Sequence, residues 1–149
     1  MIKKLPIYFI FLTLLFAQFS IAEEKFLSLK KDKVNVRYGP SFETKIKYIY
    51  KKINLPLKQI DKKENFRRVV DLKNNSGWIH ISQLKKSNSI IILEDKVLFK
   101  KPSKLSRPVA RLEIGRLLII KKCENKWCNI ITDDYFGWIK AENIWGSIK

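Results

Sequence analysis

Gly77-Trp78-Ile79-His80 recurs sixty residues later as Gly137-Trp138-Ile139-Lys140, and this repeat decides the predicted fold. Around both copies, apolar residues alternate with polar ones or form short β-branched runs, and turn-forming residues interrupt them every eight to twelve residues. This pattern is typical of strands and predicts an all-β protein. Two copies are too few for a solenoid and favour two tandem small β-barrels, each of which closes its own sheet edges.

Each unit is predicted to contain about five strands. In the first unit the strands cover 34–37, 46–50, 55–60, 66–70 and 77–81, with a polar turn at 61–65 and one helical turn at 82–84. In the second unit they cover 90–93, 97–100, 109–112, 116–123, 127–131 and 135–140. We therefore expect one domain over residues 23–85 and another over 86–149, in contact because the link at 85–89 is short.

The first 22 residues have the pattern of a secretory signal peptide. A basic start with Lys3 and Lys4 precedes an uncharged apolar run over 5–19, and Ser20-Ile21-Ala22 supplies the small residues of a cleavage site. A retained membrane anchor is the alternative, but the run is shorter than the roughly twenty residues that span a bilayer. We expect cleavage after Ala22, export to the periplasm or the extracellular space, and no stable membrane anchor afterwards.

The chain is strongly basic, with 31 Lys and Arg against 14 Asp and Glu and a net charge of +17. Such a charge can indicate an anionic partner such as nucleic acid, lipid headgroups or acidic wall polymers. It can also be compositional, because the lysines are scattered and Ile and Asn are abundant as well. We favour the compositional interpretation and predict no specific nucleic-acid partner.

Cys123 and Cys128 are the only cysteines, and export favours a disulfide between them. Strands that meet across the intervening turn would bring the two β-carbons together. A redox pair is the alternative, although such pairs usually have the spacing Cys-x-x-Cys. Zinc would need further ligands, and the only histidine, His80, lies in the other unit. We predict a structural disulfide, no metal and no cofactor.

Two motifs carry a resemblance to a known family. The run Val-Asn-Val-Arg-Tyr-Gly-Pro-Ser at 34–41 resembles the opening of bacterial SH3-like (SH3b) domains, and Gly77-Trp78-Ile79 with Leu84 resembles their close. The second unit keeps the close, but its opening departs, with Phe99 in place of the Arg and Lys101 in place of the Gly. The resemblance implies an exported bacterial protein of tandem SH3-like barrels, which act as binding or targeting modules and often recognise the cell wall.

Strand alternation predicts which side chains lie off the core. If Ile79 and Ile81 face inward, Trp78 and His80 face outward. By the same alternation Ile139 faces inward and Trp138 faces outward. Val69 and Ile130 should also face inward, which turns Phe66 and Trp127 outward. The aromatic rings could stack a sugar or a peptide, or they could cover a barrel end or pack between the units, which is the interpretation we favour. The candidate ligand-binding residues are Tyr38, Phe42, Phe66 and Trp78 in the first unit and Trp127, Tyr135 and Trp138 in the second.

No residue set in the sequence indicates catalysis. His80 lacks a nucleophile and an orienting partner, and Asp133-Asp134 is better interpreted as a turn than as a cation site. One of Arg67 and Arg68 should lie near the aromatic face. We predict a monomeric, non-enzymatic binding module of the cell envelope, with peptidoglycan or its stem peptides as the ligand that the resemblance implies. The alternative is an adaptor that docks an envelope protein and has no cell-wall ligand.

Overall fold

The computed structural model describes residues 23–148, so the predicted signal peptide at 1–22 lies outside the described residues. The all-β prediction is confirmed, and no helix in the described part of the chain is long and apolar enough to cross a membrane. The first unit contains β1 (Phe26–Leu29), β2 (Val34–Arg37), β3 (Ile46–Tyr50), β4 (Pro56–Lys63), β5 (Phe66–Val70), β6 (Ser76–His80) and β7 (Leu84–Lys86). The second contains β8 (Ser89–Ile92), β9 (Lys96–Phe99), β10 (Pro108–Leu112), β11 (Leu117–Glu124), β12 (Trp127–Ile131), β13 (Phe136–Lys140) and β14 (Ile144–Gly146).

The two units have the same strand order. The first sheet runs β3-β2-β6-β5-β4-β1-β7 and the second runs β10-β9-β13-β12-β11-β8-β14, which confirms a tandem repeat. Each sheet has seven strands, whereas about five were predicted, with five ranges in the first unit and six in the second. The difference arises from short strands such as β1 and β7, because three or four residues are too few to show a clear alternation.

Each sheet wraps around its own hydrophobic core. In the first unit the core residues come from six of the seven strands and include the predicted Val69 and Ile79, both fully buried. In the second unit Ile130 and Ile139 take the same places, as predicted, and Cys128 joins them. Because side chains from almost every strand meet in one cluster, each unit has a core that is independent of the other.

Two local predictions were wrong. Residues 61–63 were predicted as a turn but continue β4, and the turn follows at 64–65. The end of this hairpin is exposed on both faces, so its strand residues need not alternate in polarity. Ile81 was predicted to face the core but is 43% exposed. The chain leaves β6 after His80 and enters a 3-10 turn at Ile81–Gln83, which ends the alternation and confirms a single helical turn at this place.

The two units touch, as the short link predicted. The indole N–H of Trp145 on β14 donates a hydrogen bond to the carbonyl oxygen of Pro56 on β4, and the ring of Trp145 packs edge-on against Phe26. A buried serine cluster lies beside these contacts, with the Oγ of Ser28 2.7 Å from the Oγ of Ser89. Apolar packing and satisfied buried hydroxyls therefore join the two domains.

Candidate functional site

The hairpin β5–β6 presents a polar and aromatic outer face in the first unit. Directly opposed residues on neighbouring antiparallel strands share a face, and Phe66 opposes His80 while Arg68 opposes Trp78. Arg37 of β2 opposes Trp78 from the other side. Arg68 is thus the member of the Arg67-Arg68 pair that lies near the aromatic face, and all these side chains lie off the core.

Three rings form a compact cluster at one end of this face. The centroids of Phe42 and Phe66 are 5.2 Å apart, and His80 lies 4.9 Å from Phe42 and 5.1 Å from Phe66. Phe66 is the buried member of the cluster, whereas Phe42 is 61% exposed. Beside the rings lies a groove of about 340 Å³, which we call the cationic groove. Its lining residues are Lys33, Asn35, Arg37, Phe42, His80, Ser82 and Gln83.

Arg37 orders the loop that forms one wall of the cationic groove. Its Nη1 donates hydrogen bonds to the carbonyl oxygens of Phe42 and Thr44, at 3.0 and 2.7 Å. Its guanidinium carbon also lies 5.5 Å from the Phe42 ring centroid, in range for a cation–π contact. A guanidinium has five N–H donors, so Arg37 can hold this loop and still donate to a ligand.

His80 is fixed by the turn that follows it. Its Nδ1 accepts a hydrogen bond from the backbone N–H of Ser82 and lies 2.8 Å from the Ser82 hydroxyl oxygen. Because Nδ1 is an acceptor, the neutral ring carries its proton on Nε2. His80 therefore supplies the cationic groove with a positioned ring and an N–H donor.

Tyr38 and Trp78 lie in a different depression from Phe42. This pocket, of about 220 Å³, is lined by both aromatic residues together with Arg37, Lys47 and Arg68. The Nζ of Lys47 lies 5.7 Å from the Tyr38 ring centroid and donates to the carbonyl oxygen of Ser76. The four residues predicted for one groove are thus divided: Phe42 lines the cationic groove, Tyr38 and Trp78 line this pocket, and the buried Phe66 lines neither. Arg37 lines both depressions.

The second unit has a groove at the equivalent place. Trp127 opposes Lys140 as Phe66 opposes His80, and Phe99 opposes Trp138 as Arg37 opposes Trp78. The half-buried rings of Phe99 and Trp127 meet edge to face at 5.8 Å. We call this space, of about 280 Å³, the ion-paired groove. It is lined by Glu94, Asp95, Lys96, Val97, Phe99, Lys104, Trp127, Lys140 and Glu142.

Trp138 and Tyr135 do not join Trp127 in one groove. Trp138 lies off the core as predicted, but it is only 9% exposed and the Nζ of Lys122 lies 5.3 Å from its ring centroid. Tyr135 precedes β13 at the opposite end of the β12–β13 hairpin. A strand of five residues separates that end from Trp127 by about 13 Å. Trp127 is therefore the predicted aromatic residue that contributes to the groove of the second unit.

Comparison with known protein families assigns both units to the same family. The family model described as "Bacterial SH3 domain" matches residues 30–86 and 94–146. The chain belongs to the bacterial SH3 domain family. It carries two copies of the domain in tandem, as the motifs at 34–41 and at Gly77-Trp78-Ile79 predicted.

Two solved structures resemble this bacterial SH3 protein in part. NlpC2 from Trichomonas vaginalis aligns with 12% identity and a TM-score of 0.39, over 83% of this chain and 48% of that one. NlpC1 from the same organism aligns with 14% identity and a TM-score of 0.38, over 86% of this chain and 48% of that one. The chain thus spans about half the length of these structures. No curated protein matches it.

The predicted disulfide is confirmed. Cys123 and Cys128 are direct neighbours on β11 and β12, with their α-carbons 4.1 Å apart. Asn125 and Lys126 both have positive φ, as the central residues of a tight two-residue hairpin turn do, and this turn brings the cysteines together. Within residues 23–148, no group of three His, Cys, Asp or Glu side chains is placed to hold a metal ion. The disulfide and the family are both compatible with an exported protein.

Several groove residues were missed by sequence reasoning. Lys33 precedes the motif at 34–41, and Asn35 lies within it. Both side chains are polar and add nothing to the hydrophobic periodicity, so the sequence did not mark them as groove residues. Asp95 and Val97 occupy the corresponding places of the second unit. Aligning the two units residue by residue around Phe99 would have found them, because each groove uses the same positions.

Proposed function

We propose that this protein is an exported, non-catalytic binding module of the bacterial cell envelope, whose first domain recognises peptidoglycan through the carboxylates of its stem peptides. The cationic groove carries this proposal. It combines Lys33 and Arg37 with an exposed aromatic ring, Phe42, and none of its lining residues is acidic.

Charge supports a carboxylate ligand for this groove. Neither Lys33 nor Arg37 forms an ion pair with a carboxylate among the described residues. A guanidinium that is already held in place loses little side-chain entropy when it binds a carboxylate, and its planar donors suit the two oxygens of that group. A ligand carboxylate thus meets two unpaired cations without displacing an internal partner.

The aromatic cluster supports a ligand with apolar parts. Phe42 is held from below by Phe66 and from the side by His80, so its exposed face is rigid. A rigid aromatic surface supplies contact area with little loss of conformational entropy. Stem peptides present methyl and methylene groups between their carboxylates, and these groups match a ring that lies next to two cations.

Cosedimentation with purified sacculi tests the proposal. Phe42→Ala should weaken binding about tenfold, since an exposed anchoring ring contributes about 1–2 kcal/mol. Leu105→Ala is the matched control, because Leu105 is 98% exposed in the corresponding loop of the second domain and lines neither groove. Circular dichroism melting of both variants shows whether each domain remains folded.

A soluble stem peptide locates the interaction. The peptide with free carboxylates should compete with sacculi, and the fully amidated peptide should compete poorly, because the cations no longer meet charged oxygens. The proposal is overturned if mature protein does not sediment with sacculi at low salt, or if Phe42→Ala and Leu105→Ala bind equally well.

An adaptor function is the second candidate, and the far end of the β12–β13 hairpin favours it. Phe136 is 76% exposed and lies directly opposite Ile131, which is 37% exposed, while the neighbouring Tyr135 is 44% exposed. Exposed apolar clusters of this kind often contact other proteins. A photocrosslinking amino acid at position 136 should capture one discrete envelope protein in cells if the adaptor function is correct. Diffuse products or none would exclude a docking role for this hairpin.

A further inference from the structure

The two grooves occupy equivalent places but have different chemistry. The cationic groove has Lys33 just before β2 and Asn35 and Arg37 on it. At the equivalent places the ion-paired groove has Asp95 just before β9 and Val97 and Phe99 on it. In the second domain Trp127 occupies the position of Phe66, and Lys104 occupies that of Phe42. The two domains therefore cannot select the same chemical group at this site.

Except for Lys104, the charged side chains of the ion-paired groove already have partners of opposite charge. Lys96 contacts Glu94 at 2.8 Å and Lys140 contacts Glu142 at 3.1 Å. Asp95 accepts hydrogen bonds from Arg111 and from a backbone N–H, both at 2.9 Å. The side chain of Lys96 is only 5% exposed, so breaking its contact with Glu94 would leave a buried ammonium without a partner, which is strongly unfavourable. A charged ligand would have to displace these partners.

These ion-paired groups can still form hydrogen bonds. An ammonium has three N–H donors and a carboxylate has about four acceptor sites, so one ion pair leaves donors and acceptors free on both sides. The rim thus offers both donors, from Lys104 and Lys140, and acceptors, from Glu94 and Glu142. Such a rim fits a ligand with many hydroxyl groups, each of which both donates and accepts.

The floor of the ion-paired groove is apolar. Trp127 and Phe99 meet edge to face, and Val97 beside them is 41% exposed. A pyranose ring has an apolar face of C–H groups that packs on an indole, and hydroxyls at its edge that reach outward. The groove combines this floor with the rim described above, whereas an ionised peptide would find no unpaired charge except Lys104.

We propose that the second domain binds an uncharged sugar ring, of the N-acetylhexosamine type, in the ion-paired groove. This proposal rests on the proposed function for its source, because the glycan strand and the stem peptide belong to the same polymer. One chain then holds the peptide with its first domain and the glycan with its second. Binding through the second domain is largely independent of salt, because no net charge is neutralised, whereas binding through the first weakens as salt rises.

Nuclear magnetic resonance of the mature protein tests the proposal, because each indole N–H gives its own signal. The probe is the N-acetylglucosamine tetramer, and Trp127→Phe assigns the Trp127 indole. We expect the tetramer to shift this signal and the amides of Val97 and Phe99 saturably, at concentrations up to about 10 mM. The apparent affinity should change less than about twofold between roughly 0.05 and 0.5 M salt.

Two variants and one control complete the test. Val97→Glu places a charge on the exposed floor and should weaken tetramer binding about tenfold or more, as should Trp127→Ala. Phe42→Ala in the first domain should leave it unchanged. No shift at Trp127 overturns the inference, as does a shift with the stem peptide but not with the tetramer. The proposed function fails separately, if the stem peptide leaves the Asn35 and Gln83 side-chain amides unshifted.

Discussion

The indole nitrogen of Trp145 lies 2.9 Å from the carbonyl oxygen of Pro56 and joins the last strand of the second domain to the first domain. Phe26 meets the same indole edge-on at 5.2 Å. Among residues 23–148 this is the one ring pair that links the two domains. Trp145 therefore has the interdomain role that the sequence also allowed for Trp78 and Trp138, and Trp78 remains on an outer face.

Replacing Trp145 should uncouple the domains in two steps. Trp145→Phe keeps a ring against Phe26 but removes the donor to the partly buried carbonyl of Pro56, which should cost about 1 kcal/mol of unfolding free energy. Trp145→Ala also removes the ring and should cost about 2 kcal/mol more. Urea denaturation measures both losses. The interpretation is wrong if Trp145→Phe is as destabilising as Trp145→Ala, or if neither has an effect.

Reducing the disulfide should lower stability but not prevent folding. In the chain-entropy model a loop this short contributes roughly 2 kcal/mol. The first domain has Lys62 opposite Arg67 at the equivalent place and forms the same hairpin without a covalent link. We expect Cys123→Ser/Cys128→Ser to retain the native spectrum with a lower urea midpoint. Wild-type protein in a reducing agent should show a smaller shift in the same direction, because Cys128→Ser would also place a hydroxyl in the core. An unfolded double variant would contradict the expectation only if the reduced wild-type protein is unfolded as well.

The fold was predictable because its signals are local and occur twice. Alternation around Ile79 and Val69 placed both side chains in the core, and the repeat sixty residues later placed Ile139 and Ile130 there as well. The strand predictions were wrong where alternation carries no information, as in the exposed end of β4. Burial imposes the pattern, so strand residues exposed on both faces leave none.

The candidate sites were less predictable, because a groove is assembled across strands. Strand alternation placed Phe66 and Trp78 off the core, and Phe42 was named as a further candidate, but none of this showed that Arg37 lines two separate depressions. That depends on the register of β2 against β6, which single-strand alternation does not contain. Tyr135 was grouped with Trp127 for the same reason, although a hairpin's length separates them.

Gly77 allows β6 to approach β2 closely, and a side chain there should be poorly tolerated. A β-carbon at Gly77 would lie 2.3 Å from Cγ1 of the buried Val36 and 3.1 Å from the carbonyl oxygen of Arg37. Gly77→Ala should therefore cost about 2–3 kcal/mol through overpacking. Gly115→Ala is the comparison, because Gly115 has a φ of +84° and open space around it, so only backbone strain of about 1 kcal/mol applies. Thermal unfolding should rank Gly77→Ala well below Gly115→Ala, and the reverse order would contradict the steric argument.

The ion pairs of the second domain should make its stability depend on pH in the acid range. Hydrogen bonds from Lys96 and Asn143 hold the pKa of Glu94 below its ordinary value of 4.5. A backbone N–H and Arg111 hold the pKa of Asp95 below 3.8. A carboxyl whose pKa is lower in the folded state stabilises the protein above its unfolded pKa, and that stabilisation is lost as pH falls through the folded pKa. Urea midpoints should therefore fall steadily as the buffer becomes more acidic than these ordinary values. Lys96→Met removes the first donor to Glu94, so a carbon-13 titration of its carboxyl should show the pKa rising towards 4.5. An unchanged pKa in that variant would show that Lys96 does not set the charge state of the groove.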